Sequence, residues 1–113
     1  MEIKWGGIDV KKCVWDFECV RVSATRQFTN DAEGIVALVD LLKDSGVERI
    51  VIEATGGYET AVASALAVAG LPVVVVNPKQ VRDFAKALGH FAKTDRLDAQ
   101  VLALFAARIT QPL

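Results

Sequence analysis

Apolar residues recur along this chain in two rhythms, and the points where the rhythm changes divide it into elements. Residues 3–10 (IKWGGIDV) and 13–20 (CVWDFECV) read as two strands joined at Lys11-Lys12 in a hairpin. A short third strand is expected around residues 24–28. Asn30-Asp31-Ala32-Glu33 then opens a helix, with Asn30 as N-cap and Glu33 reaching back to complete a capping box. Ile35, Leu38, Val39 and Leu42 follow at helical spacing, and Gly46 ends the segment. Residues 49–54 (RIVIEA) form a largely apolar run, the mark of a strand covered on both faces. After Thr55-Gly56-Gly57 an alanine-rich helix extends to about residue 69, and residues 71–76 (LPVVVV) are again predicted as buried strand. Strand, helix and strand in this order make a βαβ unit with parallel strands.

Asn77-Pro78 starts the next helix, with asparagine as cap and proline in the first turn. If that helix runs on, Lys79, Arg82, Lys86, His90 and Lys93 fall within a wedge of roughly 80° at helical periodicity. Val81, Phe84, Ala85, Leu88 and Phe91 point the other way, and Gly89 interrupts the run. Thr94 is the expected cap of a last helix over residues 95–108. Leu97, Val101 and Leu104 share one face of it while Leu102 and Phe105 lie off that face, so it reads as apolar nearly all round. In so small a domain such a helix is expected to need cover from another chain or from downstream sequence.

At 113 residues the chain suits one domain, and 52% hydrophobic with 24% charged residues is enough apolar mass for a core. Thirteen basic and fourteen acidic residues leave a net charge of −1, so a nucleic-acid partner has to be sought in local clusters. Cys13 and Cys19 on one strand would lie roughly 20 Å apart, too far for a disulfide. Free thiols point to a reducing, cytoplasmic setting. The longest apolar stretch, residues 61–76, is broken by Ser64 and by Gly70-Leu71-Pro72 and falls short of a membrane span.

The acidic residues change the picture most. Asp9 stands among apolar neighbours in the first strand and Glu53 ends the run Ile50-Val51-Ile52. Buried acids are costly unless they are paired or bind a cation. If their strands are adjacent and parallel, both acids emerge at one sheet edge. Asp95 and Asp98, at i and i+3, share a helix face that could lie across that edge. Four such carboxylates suit two Mg²⁺ or Mn²⁺ ions, the arrangement used in phosphodiester cleavage. Each acid also has a plainer reading. Asp95 and Asp98 complement the dipole of a first helical turn, Glu53 meets solvent at a strand end, and Asp16 in the hairpin's outer strand is solvated. Thr55-Gly56-Gly57 lacks the length and the lysine of a P-loop and reads as a tight turn with positive φ.

Four segments occur together in order: Gly7-Ile8-Asp9-Val10; Ile52-Glu53-Ala54-Thr55-Gly56-Gly57-Tyr58; residues 76–85 (VNPKQVRDFA); and Lys93-Thr94-Asp95-Arg96-Leu97-Asp98-Ala99. Together they closely resemble the N-terminal domain of the DEDD transposases of bacterial insertion sequences, the insertion sequence 110 family, which includes pilin-type DNA invertases. The resemblance covers residues 5–107. It implies a RuvC-like, ribonuclease H-type α/β fold, a mixed five-stranded sheet flanked by helices. It implies that Asp9, Glu53, Asp95 and Asp98 form a tetrad holding Mg²⁺ or Mn²⁺, and that the activity is DNA strand cleavage and rejoining. In insertion-sequence members it further implies a structured guide RNA. Lys79, Arg82, Lys86 and Lys93 are then the expected nucleic-acid contacts.

Members of that family continue into a C-terminal domain carrying a serine used in strand exchange, so residues 1–113 read as a fragment corresponding to the N-terminal catalytic domain. Two further readings stand beside it: a nucleic-acid-binding module without activity of its own, and a RuvC-like Holliday-junction nuclease. Homo-oligomerisation through the last helix is a further expectation, and no membrane association is expected.

Overall fold

The architecture is given by a computed structural model that describes residues 3–11, 13–19, 22–54, 56–87, 89 and 99–110. Three strands come first: β1 (Trp5–Val10), β2 (Val14–Cys19) and β3 (Val22–Thr29). They are followed by α1 (Ala32–Leu42), β4 (Arg49–Glu53), α2 (Thr60–Val68), β5 (Val73–Val76), α3 (Pro78–Ala87) and α4 (Ala99–Thr110). The strands form one sheet in the order β3-β2-β1-β4-β5. β1 to β3 make an antiparallel meander, whereas β4 pairs parallel with β1 and β5 parallel with β4. This mixed five-stranded sheet flanked by helices is the ribonuclease H-like arrangement that the resemblance implied.

Alternation along the central strands sorts their residues between two cores. Ile8, Val10, Ile50 and Ile52 pack with Leu38 and Leu42 of α1 and Val62 and Leu66 of α2. Trp5, Val51 and Val76 pack with Val81 of α3 and Leu102 and Ala106 of α4. Across that second layer Phe84 meets Phe105 edge to face at 5.3 Å, which ties α3 to α4.

The seat of α4 explains both its alanines and a glycine in β1. A Cβ added at Gly7 would collide with the backbone of Ala99, Leu102 and Ala103, so helix main chain rests directly on strand main chain. Ala99, Leu102, Ala103 and Ala106 are all buried in this contact. The sheet thus covers one face of the helix, while Val101, Leu104 and Phe105 are half-buried. Small residues on α4 and glycine on β1 let the two approach. Ile109, near the end of the helix, is 43% exposed.

Three local expectations are also revised. The third strand is longer than residues 24–28, running through Val22–Thr29. β5 is an edge strand rather than a buried one, and Val75 is 47% exposed. The N-cap of α1 is Asp31, not Asn30, so the capping box expected from Asn30 and Glu33 gives way to a different arrangement. Asp31 Oδ1 accepts from the Gly34 N–H at 2.9 Å and from the Thr29 hydroxyl at 2.8 Å. These two bonds, the Gly34 N–H first, hold the Asp31 carboxyl below its ordinary range.

Candidate functional site

Asp9 follows Gly7 on the face of β1 that meets α4, since alternate residues of a strand share a face. The parallel register places Gly7 beside Val51 and Ile8 beside Ile52, and one step further come Asp9 and Glu53. Val51 and Val76 face the α3 and α4 layer, and Glu53 pairs with Val76, so Glu53 belongs to that same face. The two acids therefore stand side by side near the C-terminal ends of neighbouring parallel strands.

Their proximity has an electrostatic signature. The Glu53 carboxyl is raised above its ordinary range, chiefly by burial and secondly by the charge of Asp9. The Arg82 guanidinium acts in the opposite direction and lowers it. Arg82 is exposed on α3 beside the buried Val81, which brings a cation within electrostatic reach of Glu53. Lys79 and Lys86 are exposed on the same helix. The expected basic face is thus present on α3 as far as the described residues extend.

A third acid adjoins the pair. Asp16 lies opposite Asp9 in the antiparallel β1–β2 register. It is half-buried, accepting from Gln27 Nε2 at 3.1 Å and pairing with Lys11 Nζ at 3.4 Å. β2 is not an outer strand of the sheet, because β3 covers its far side and contributes Gln27, while the Asp16 side chain keeps contact with solvent. A turn at Lys11-Lys12 would have paired residue 9 with residue 14; the turn closes one residue later, with the Lys11 N–H donating to the Val14 carbonyl, and this brings residue 16 opposite residue 9.

Asn30, displaced from capping, has another task. Its side-chain amide donates to the carbonyls of Lys11 and Tyr58, each at 3.1 Å, and its backbone N–H donates to the Cys13 carbonyl at 2.8 Å. One residue thereby joins the β1–β2 turn to the loop that leaves β4 after Glu53. In that loop Gly56 and Gly57 have φ of 67° and 103°, as the tight-turn reading required. The Gly57 N–H donates to the Glu59 carboxylate at 3.0 Å.

Asp95, Asp98, His90 and Lys93 lie outside the described residues. α4 begins at Ala99, whose carbonyl lies against Gly7 on the Asp9 face of β1. Among the described residues no group of three or more His, Cys, Asp or Glu side chains is gathered as a metal site. Asp9 and Glu53 form a pair of oxygen donors, a donor type that suits a hard divalent cation. No helix of the described residues is long and apolar enough to cross a membrane.

A sheet of this topology, with acids at the ends of its adjacent central strands, defines a ribonuclease H-like domain. The profile of a transposase family, the DEDD transposases of insertion sequence 110, matches residues 5–113, and the chain belongs to that family. It is also similar to the pilin gene-inverting proteins of Moraxella lacunata and Moraxella bovis, at 33% identity over 114 residues in each case. Each match covers 95% of this chain and 35% of the relative, so the chain spans about a third of the length of the curated relatives it matches.

Proposed function

We propose that this domain is the metal-dependent catalytic part of a DNA transposase or site-specific recombinase, cleaving and rejoining DNA strands. The observation that carries the reading is the placement of Asp9 and Glu53 on one face of adjacent parallel strands, with Glu53 partly desolvated beside a second carboxylate. In this reading Asp9 and Glu53 hold Mg²⁺ or Mn²⁺, and Asp95 and Asp98 complete the ligand set. Such ions, when bound, supply charge stabilisation to a reacting phosphodiester. The chain's own residues prepare the place for them: Asp9 and the partly buried Glu53 would offer carboxylate oxygens, and the exposed Lys79, Arg82 and Lys86 hold the nucleic-acid backbone. Lys93 extends that contact surface.

The full reaction, in this proposal, requires a further domain of the kind the longer relatives have room for, and a structured RNA guides it. Pilin gene inversion by the Moraxella relatives supports the recombinase side of the reading. The test is calorimetric titration of Mn²⁺ into the wild-type chain and into Asp9→Ala. Binding that disappears in the variant supports the proposal, and equal affinity in both overturns it.

A second reading, a nucleic-acid-binding module whose chemistry resides elsewhere, is favoured by the exposed cations of α3. Nucleic-acid binding without any divalent-ion affinity in the wild type would select it.

A further inference from the structure

Most aromatic rings of this chain are withdrawn from solvent: Trp5, Trp15 and Phe17 are buried, and Phe28, Phe84 and Phe105 are half-buried. Among the described residues one aromatic side chain is exposed, Tyr58, at 49%. It sits on the loop that leaves β4 five residues after Glu53, and that loop is not loosely attached. The Tyr58 carbonyl accepts from Asn30 Nδ2, and the same amide nitrogen donates to the carbonyl of Lys11, two residues beyond Asp9. The Gly57 N–H is held by the Glu59 carboxylate, and the Thr60 N–H donates to the Gly57 carbonyl at 3.2 Å. An apolar ring is thus presented to water on a braced backbone, next to the strand ends that carry the two acids. The exposed Lys11 lies on the adjoining turn.

We infer that Tyr58 is a stacking platform for an unpaired base of a nucleic-acid strand, held by the Asn30 amide at the end of the sheet where β1 and β4 finish. The inference rests on the nucleic-acid reading above and adds a recognition mode to it. The cations of α3 engage phosphates, which every nucleic acid offers, whether paired or not. An aromatic face engages the π-face of a base only when that base is free of its helix. A ring braced at this point therefore selects strands that are opened at this end of the sheet, from DNA or from RNA. Tyrosine suits the position because its hydroxyl tolerates water while its ring stacks.

The test uses short single-stranded DNA and RNA oligonucleotides carrying 2-aminopurine, and the same DNA as a duplex, in a chelating buffer so that no cleavage occurs. The wild-type chain is expected to quench the aminopurine in at least one single strand, and the more strongly quenched sugar type identifies the source. Tyr58→Ala is expected to lose the quenching and to bind that strand on the order of tenfold more weakly. Tyr58→Phe should retain both, with duplex affinity unchanged in both variants. Asn30→Ala, which leaves the ring but frees its loop, should weaken quenching at saturating protein. Quenching by Tyr58→Ala equal to wild type, or equal weakening of single strand and duplex, overturns the inference. Mn²⁺ titration of the same samples separates the two proposals. A wild-type chain that binds Mn²⁺ through Asp9 yet never quenches sinks the stacking platform alone. Quenching abolished by Tyr58→Ala in a chain with no Mn²⁺ affinity supports the platform and sinks the metal reading.

Discussion

Asp9 and Glu53 stand next to each other on parallel strands, and the charge of the first adds to burial in making the second reluctant to ionise. Glu53 therefore binds its proton more tightly in the folded chain than in the unfolded one. Without divalent ions, the contribution of this group to stability is most favourable below its ordinary value of 4.5 and declines as pH rises through the raised one. Glu53→Gln should melt at a higher temperature than wild type at pH 7 in a chelating buffer, with the difference vanishing near pH 4. Thermal melts across that range check the sign, and saturating Mn²⁺ should reverse the order.

Arg82 is expected to act oppositely on the two ligands. Its guanidinium lowers the Glu53 carboxyl, so Arg82→Gln should move the Glu53 titration further up, measurable by carbon NMR of the carboxyl. Removing this positive charge should also tighten Mn²⁺ binding by a few fold, as expected for charges near a surface, while DNA binding weakens. A variant that weakens both together would show that Arg82 supports the fold rather than the field.

Reversing Lys79, Arg82 and Lys86 to glutamate tests the α3 face as a phosphate-binding surface. The dependence of log affinity on log salt should flatten by about 0.9 for each phosphate that the variant no longer neutralises. Mn²⁺ binding should not be lost, because none of the three side chains is offered as a ligand, and the reversal at Arg82 should tighten it in the same direction as Arg82→Gln.

Gly7→Ala addresses the packing of α4. The new methyl group would overlap the backbone of Ala99 and Ala103, and neither can yield by changing a rotamer. Overpacking of this kind costs about 1–3 kcal/mol, and chemical denaturation should report at least that drop in stability, accompanied by weaker Mn²⁺ binding if the helix is displaced.

Much of this arrangement was legible along the chain, for reasons that particular residues make clear. The run Ile50-Val51-Ile52 declares a strand covered on both faces, and an acid directly after it, like Asp9 within Gly7-Ile8-Asp9-Val10, is conspicuous by its cost. What escaped was decided by interactions distant in sequence. Asn30 and Asp31 are equally good caps by residue type. The choice fell to Asp31 because Thr29 and Gly34 donate to it, while the Asn30 amide is engaged by carbonyls 19 and 28 residues away. Asp16 looked peripheral until β3 was laid beside it. The last helix looked uncovered because a glycine in the first strand gives no hint, read alone, of which backbone will rest on it.

The seating of α4 on Gly7 fixes a clearance as well as a contact. Because main chain lies on main chain at Gly7, the height of the helix above the strand there is set by backbone contact and not by the rotamer of a side chain. Substitutions on the outward side of α4 can accumulate without lifting it. The headroom over the Asp9 end of the strand is thus set by Gly7 together with the small buried residues Ala99, Ala103 and Ala106, and growth at any of these positions would change it.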